Sequence, residues 1–241
     1  MNNAKAIFKK QVISFFKKPT AVGTPISFLM FAAVFTFVTA DAGDAISNLF
    51  ATIFVGMGMV GNTASFIIED RVTMNLRFMS MAGVKSWEYL LGTGGAMFLS
   101  SIVFLFVFAL IGGNFAPRDL GVFMALTMLA SMKAILLGST LGLLKNMWLF
   151  QPISMLVGFA PMLAELNENL EGAFNFLFTQ QLNLVLREGY IYMEDYGYVY
   201  FEAPDALMII GANLVIITLV FIFMAYRGGL YRDGVQSTPS K

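Results

Sequence analysis

Ionisable side chains are scarce in this chain, and their placement limits its chemistry. One group of both signs lies in EDRVTMNLRFMSMAGVKSWEYLLG, residues 69–92. There Glu69, Asp70, Arg71, Arg77, Lys85 and Glu88 alternate with Met74, Leu76, Phe78, Met81 and Trp87. Acid–base catalysis near neutral pH draws first on His, and thiol or thiolate-metal chemistry needs Cys. The 241 residues contain neither. Serine–histidine proteolysis, HExxH metalloprotease chemistry and disulfides are therefore excluded. Carboxylates and lysines remain, but no spacing pairs them for catalysis, no metal-ligand pattern occurs, and GxxxxGK[ST] is absent. The chain reads as one that makes and breaks no bonds itself.

Two polar residues stand inside apolar runs and are candidates for a substrate path. Lys133 lies mid-run, where a charge costs about 2.5–3.5 kcal/mol on insertion scales and must face protein or water. It is either a counter-charge for an anionic substrate or a structural residue bonded to Ser131, Thr127 or a neighbouring helix. Asn62 lies among Gly56, Gly58, Gly61 and Ser65, small residues that let membrane helices approach closely. That pattern fits intramolecular packing, a dimer seam or a substrate path.

The elements that position these residues follow from composition. Hydrophobic residues make up 58% and charged residues 12%, against roughly 25% charged in soluble domains. Six apolar runs are long enough to cross a bilayer as helices: Thr20–Thr39, Leu49–Ile68, Tyr89–Gly112, Leu120–Leu144, Met147–Leu166 and Ala206–Tyr226. Lys145 and Asn146 form the polar turn between the fourth and fifth, and Pro152 is tolerated inside the fifth. With a cytoplasmic N-terminus, twelve basic residues lie inside and only Arg118 and Arg187 outside. That bias places both termini and residues 69–88 on the cytoplasmic side of the cell membrane.

No cleavable leader is evident. Residues 1–19 instead place Phe8, Val12 and Phe15 on one helical face with Lys10 and Lys17 on the other. This reads as an amphipathic helix along an anionic membrane face, or as a disordered basic leader. The external stretch 167–205 begins with a helical pattern at Leu170, Phe174, Leu177 and Phe178, too short and polar to span, which dips into or lies on the outer leaflet. It continues with YIYMEDYGYVYF, which alternates aromatic and polar residues around Asp195–Gly197. A hairpin and an aromatic belt at the headgroups both fit, and they are compatible. The whole chain, 1–241, is one membrane domain. Its fold class is all-α and polytopic, with six transmembrane helices, an N-terminal interfacial helix and a partly re-entrant external segment.

Residues 69–92 resemble the cytoplasmic loop of type-2 ABC transporter permeases, the membrane subunits of ATP-driven exporters. Glu69 and Asp70 match the family's acidic start, TMNLRFMSM its short amphipathic helix, Gly83 its break, and WEYLLG the start of its third span. Gly83 stands where many members have Pro, and Thr93 where Lys is common. The basic N-terminus, the six runs and PMLAELNENL before the external segment agree with the same family. The resemblance implies a permease dimer, homodimeric or with a related chain, each copy docked on a separate ABC ATPase. ATP and Mg would be held by that partner, with no cofactor on this chain. It also implies that Glu69, Asp70, Arg71, Met74, Leu76, Arg77, Phe78, Met81 and Gly83 couple the ATPase to the spans. The expected substrate is amphipathic: a peptide, a drug or a lipid-like molecule. A six-span substrate-binding component of an importer is the alternative. Membrane lipids are expected contacts, and nucleic acid is not.

Independently of the resemblance, an amphipathic helix exposing Met74, Phe78 and Met81 needs either a protein groove or a lipid surface to cover it.

Overall fold

Apolar runs of about 20 residues satisfy their backbone in a bilayer only as helices or closed barrels, and this chain takes the helical solution. The computed structural model describes residues 2–39, 43–113, 117–144, 147–166, 172–188, 190–193, 198–201 and 204–228. The helices are α1 (Asn2–Lys17), α2 (Pro19–Val38), α3 (Gly43–Ile53), α4 (Val60–Val72) and α5 (Asn75–Met81). They continue with α6 (Ser86–Ile111), α7 (Pro117–Leu143), α8 (Phe150–Leu166), α9 (Phe178–Glu188) and α10 (Pro204–Gly228). Between α9 and α10 the alternating aromatic segment forms an antiparallel hairpin of β1 (Tyr190–Met193) and β2 (Tyr198–Phe201). Tyr190 pairs with Phe201 and Met193 with Tyr198. The fold is a helical bundle, and the aromatic segment takes the hairpin, one of the two readings of its alternation; the turn at Asp195–Gly197 lies outside the described residues.

A π-helical turn, Phe54–Met59, joins α3 to α4 into one rod. That rod, α2, α6, α7 and α10 are five helices long and apolar enough to cross a membrane, so the protein is membrane-embedded. α8 has 17 residues, close to the lower limit of about 17 for a spanning helix, and a 3-10 turn, Met147–Leu149, precedes it. Pro152 falls in its first turn. The polar turn at Lys145 and Asn146 lies outside the described residues.

The apolar window of the α3–α4 rod is 72% buried, against 17% for α2 and 6% for α10. The rod is therefore the centre of the bundle, with α2 and α10 at its margin. Phe54 anchors the centre, 5.9 Å from Phe104 and 5.7 Å from Phe108 between ring centroids. The small surface of the second span is used here against α8: a Cβ on Gly56 would stand 2.7 Å from the Gly158 Cα. At this position intramolecular packing is the reading that holds.

α9 sits between α3 and α8. The Thr179 hydroxyl donates to the Val157 carbonyl at 2.6 Å, and Asn48 donates its amide to the Leu186 carbonyl at 3.2 Å. Its apolar face is Phe178, Leu182, Val185 and Leu186, all buried. Of the pattern through Leu170, Phe174, Leu177 and Phe178, Phe174 lies in a helical stretch at residues 172–174 and Phe178 opens α9. Phe174 and Leu177 close a turn through Leu177 N–H and the Phe174 carbonyl at 2.8 Å, while Leu170 lies outside the described residues.

α1 runs beside the first half of α6 and in the same direction. Asn3 bonds Glu88, Ile7 lies against Gly92, Phe8 against Gly95, and Phe15 lies 6.2 Å from Phe104. Ile7, Gln11 and Phe15 face the protein and are buried, while Phe8 and Val12 are half-buried. Lys5, Lys9, Lys10 and Lys17 remain exposed.

Candidate functional site

Asp70, on the last turn of α4, is only 5% exposed. A buried carboxylate is costly unless its oxygens are taken up, and four donors from three elements take them up. Gln11 Nε2 and the Tyr89 hydroxyl donate to Oδ2 at 2.8 and 2.9 Å; Asn75 Nδ2 and Lys10 Nζ reach Oδ1 at 3.1 and 3.4 Å. The carboxylate thereby ties α1, α5 and α6 to α4.

Its neighbours extend the clasp. Lys18 donates to Glu69 and lies over the Phe66 ring, 4.4 Å from the centroid. Arg71 Nη1 donates to the carbonyls of Gly142 and Leu144, each at 2.9 Å. Those are carbonyls left over at the C-terminus of α7, where a cation also meets the negative end of the helix dipole. Glu88 accepts from Asn3 at 3.2 Å and from the Lys85 backbone N–H at 3.0 Å, closing the start of α6. α1 can approach α6 this closely because residue 92 is Gly; a Cβ there would stand 2.7 Å from Ile7 Cγ2.

α5 therefore has two faces. Leu76 is 4% exposed and packs with Ile7, Ile67 and Tyr89. Met74, Phe78 and Met81, at i, i+4 and i+7, are 54%, 61% and 66% exposed, and Arg77 is exposed beside them. Two left-handed residues bracket the helix: Met74 with φ 59° before it and Gly83 with φ 76° after it. Val84 N–H bonds back to the Met79 carbonyl at 3.0 Å, the C-terminal arrangement that places Gly at the left-handed position.

The nine residues singled out in the sequence thus divide by role in the fold. Glu69, Asp70, Arg71 and Leu76 hold the segment, Gly83 turns it, and Met74, Arg77, Phe78 and Met81 form its outer face. Partners of the clasp that were not singled out include Asn3, Gln11, Asn75 and Tyr89. Gln11 was detectable as a polar residue spaced four from both Ile7 and Phe15, on what is otherwise an apolar stripe.

Asn62 and Lys133 are not brought together. Asn62 donates to the Ala21 carbonyl at 3.3 Å and lines a cleft of about 260 Å³ between α2, α4 and α8. The cleft walls carry Thr24, Ser65, Gln151 and Ser154 as well, and the Lys18–Glu69 pair also borders it. Lys133 is fully buried elsewhere. It donates to the Ile210 carbonyl of α10 and lies 5.7 Å from the Phe178 ring centroid. Among the described residues no carboxylate forms a salt bridge with it. Thr127 bonds the Phe123 carbonyl instead at 2.7 Å, and among the described residues Ser131 Oγ has no partner. Of the partners considered for Lys133, the neighbouring helix is the one found.

No protein-family model matches the chain, and no curated protein matches it.

Proposed function

We propose that this chain is the membrane-spanning permease subunit of an ABC exporter. Six spans, with α8 as the fifth, and both termini in the cytoplasm would place α5 on the cytosolic side of the cell membrane. The observation that carries the reading is the outer face of α5. Three large apolar side chains and Arg77 project from a short helix whose other face is fixed by the Asp70 clasp. Such a helix suits a groove in a separate ATPase, which would hold ATP and Mg and do the hydrolysis. Closure of the ATPase would move α5, and through Asp70 and Arg71 would move α1, α4, α6 and α7 together.

The working unit in this reading is a dimer, of identical or related permeases, with an ATPase on each copy. The cleft at Asn62 is the candidate substrate path. Its hydroxyl and amide groups beside Met57, Phe66 and Phe150 suit an amphipathic molecule such as a peptide, drug or lipid-like compound. Lys133 is assigned to the packing of α7 on α10.

Pull-down of an ATPase from co-expressing membranes, together with transport per ATP hydrolysed, tests the proposal. Wild type binds and transports, while Phe78→Ala inserts normally but loses the ATPase. Equal binding and transport by both chains would make α5 a lipid-surface helix and overturn the reading.

A further inference from the structure

A second concave surface lies away from the Asn62 cleft, on the margin where α6, α7 and α10 meet. It is an apolar groove of about 370 Å³ whose walls include Leu91, Phe98, Met132, Leu136 and Phe221, with Gly94 and Gly95 on the α6 side. Gly94, whose Cβ would point toward Ile135 of α7, leaves a hollow where a side chain would fill the surface. The distance along α6 from Leu90 to Phe98 is about 12 Å at 1.5 Å per residue. That is a little less than one leaflet of a hydrocarbon core about 30 Å thick.

One end of the groove is marked as a headgroup level. Trp87 precedes Leu91 and Gly94 by one and two turns, on the same face of α6, and is 49% exposed. A half-exposed Trp with an indole N–H donor suits the boundary between headgroup and hydrocarbon. α6 is 26 residues long, about 39 Å, so its first turns extend past the hydrocarbon. The charge there is positive. Lys85 is exposed at the start of α6, and Lys5 and Lys9 are exposed on α1 on either side of Phe8, which lies against Gly95. The nearby carboxylate, Glu88, is buried and bonded to Asn3 and the Lys85 backbone.

We propose that the groove binds one acyl chain of an anionic phospholipid from the leaflet nearest α5, with its headgroup against Lys85. The inference rests on membrane embedding alone and stands or falls separately from the transport reading. The chain has two Trp residues, so Trp148→Phe leaves Trp87 as a native probe at the groove mouth. The measurement is quenching of Trp87 by brominated phosphatidylglycerol against brominated phosphatidylcholine in reconstituted vesicles. A site of this kind gives a relative binding constant well above one for the anionic lipid. Lys85→Gln, at an exposed position, lowers that preference about fivefold, the value of about 1 kcal/mol per basic residue near an anionic surface. Gly94→Leu, whose Cβ would already stand 3.4 Å from Ile135 Cγ2, fills the hollow and abolishes the preference. A relative constant of one in the parent, or an unchanged preference in either variant, would overturn the assignment.

Discussion

The Tyr89 hydroxyl donates to the Asp70 carboxylate at 2.9 Å, joining the start of α6 to the end of α4 inside a region where both side chains are buried. These residues flank α5 in sequence, so the bond closes the segment between them into a loop with a fixed base. Gln11 donates to the same oxygen, which brings α1 into that base. A force applied to the outer face of α5 would thus be delivered to three other helices, instead of being absorbed by a flexible connection.

Asp70→Ala should release this clasp. Hydrogen bonds to a charged group contribute about 1.5–3 kcal/mol each, and a buried donor left unpaired costs about 1–3 kcal/mol. Gln11 and Tyr89 would both lose their acceptor, so a destabilisation of about 2–4 kcal/mol is expected. Amide exchange checks it: protection should fall in α1, α5 and the first turns of α6, with α9 and α10 unchanged. Uniform loss of protection would mean that Asp70 supports the whole bundle and is no local clasp.

Lys133→Met is expected to be well tolerated. Methionine keeps much of the length while removing a buried charge, and replacing buried ionic groups by apolar ones of similar size is often neutral or stabilising. Expression, thermal stability and transport should match wild type, whereas Lys133→Glu should fail to accumulate. Loss of transport in a well-folded Lys133→Met protein would restore the substrate counter-charge role.

The long helices were legible because twenty-residue apolar runs leave few alternatives in a bilayer. The clasp was only half legible. Glu69, Asp70 and Arg71 stand out as charges beside a hydrophobic run, but their partners come from α1, α6 and α7, contacts that no local pattern encodes. Gln11 shifted the apparent apolar face of α1 toward Phe8 and Val12, because a buried glutamine counts as polar in any periodicity. The burial of α9 was hidden for a related reason: Thr179, Gln180, Gln181 and Asn183 are buried, so its sequence is more polar than its surroundings. The outer face of α5, by contrast, was readable from the spacing of Phe78 and Met81, while Met74, also exposed, stands left-handed just before the helix.

Orientation can be checked with single cysteines, since the chain has none of its own. Thr39→Cys, at the exposed end of α2, should react with an impermeant maleimide added outside intact cells. Lys9→Cys and Lys85→Cys, both at exposed positions, should react only after permeabilisation. External labelling at Lys85→Cys would put α5 on the wrong side for an ATPase.

The outer face of α5 yields the sharpest prediction, because three variants separate binding from transmission. Phe78 is 61% exposed, so a partner groove has most of the ring left to bury. Burying a large apolar side chain contributes about 1.5–3 kcal/mol, or roughly tenfold to a hundredfold in affinity, and a few such anchors dominate an interface. Phe78→Ala should therefore weaken ATPase binding by about that factor while leaving the Asp70 clasp intact, since Phe78 is not part of it. Arg77 is exposed on the same helix, where a charged rim contact orients more than it binds. Arg77→Ala should reduce transport per ATP hydrolysed more than it reduces pull-down. Gly83 touches nothing within 4 Å of its would-be Cβ, yet its φ is 76°. A β-branched residue pays about 1–2 kcal/mol or more to hold that left-handed conformation. Gly83→Val should consequently change how α5 leaves toward α6, uncoupling hydrolysis from transport with the apolar face still present. Gly83→Asn, which tolerates the left-handed region, should restore coupling. If Gly83→Val and Gly83→Asn behave alike, the turn geometry is irrelevant and transmission must run through the Asp70 clasp alone.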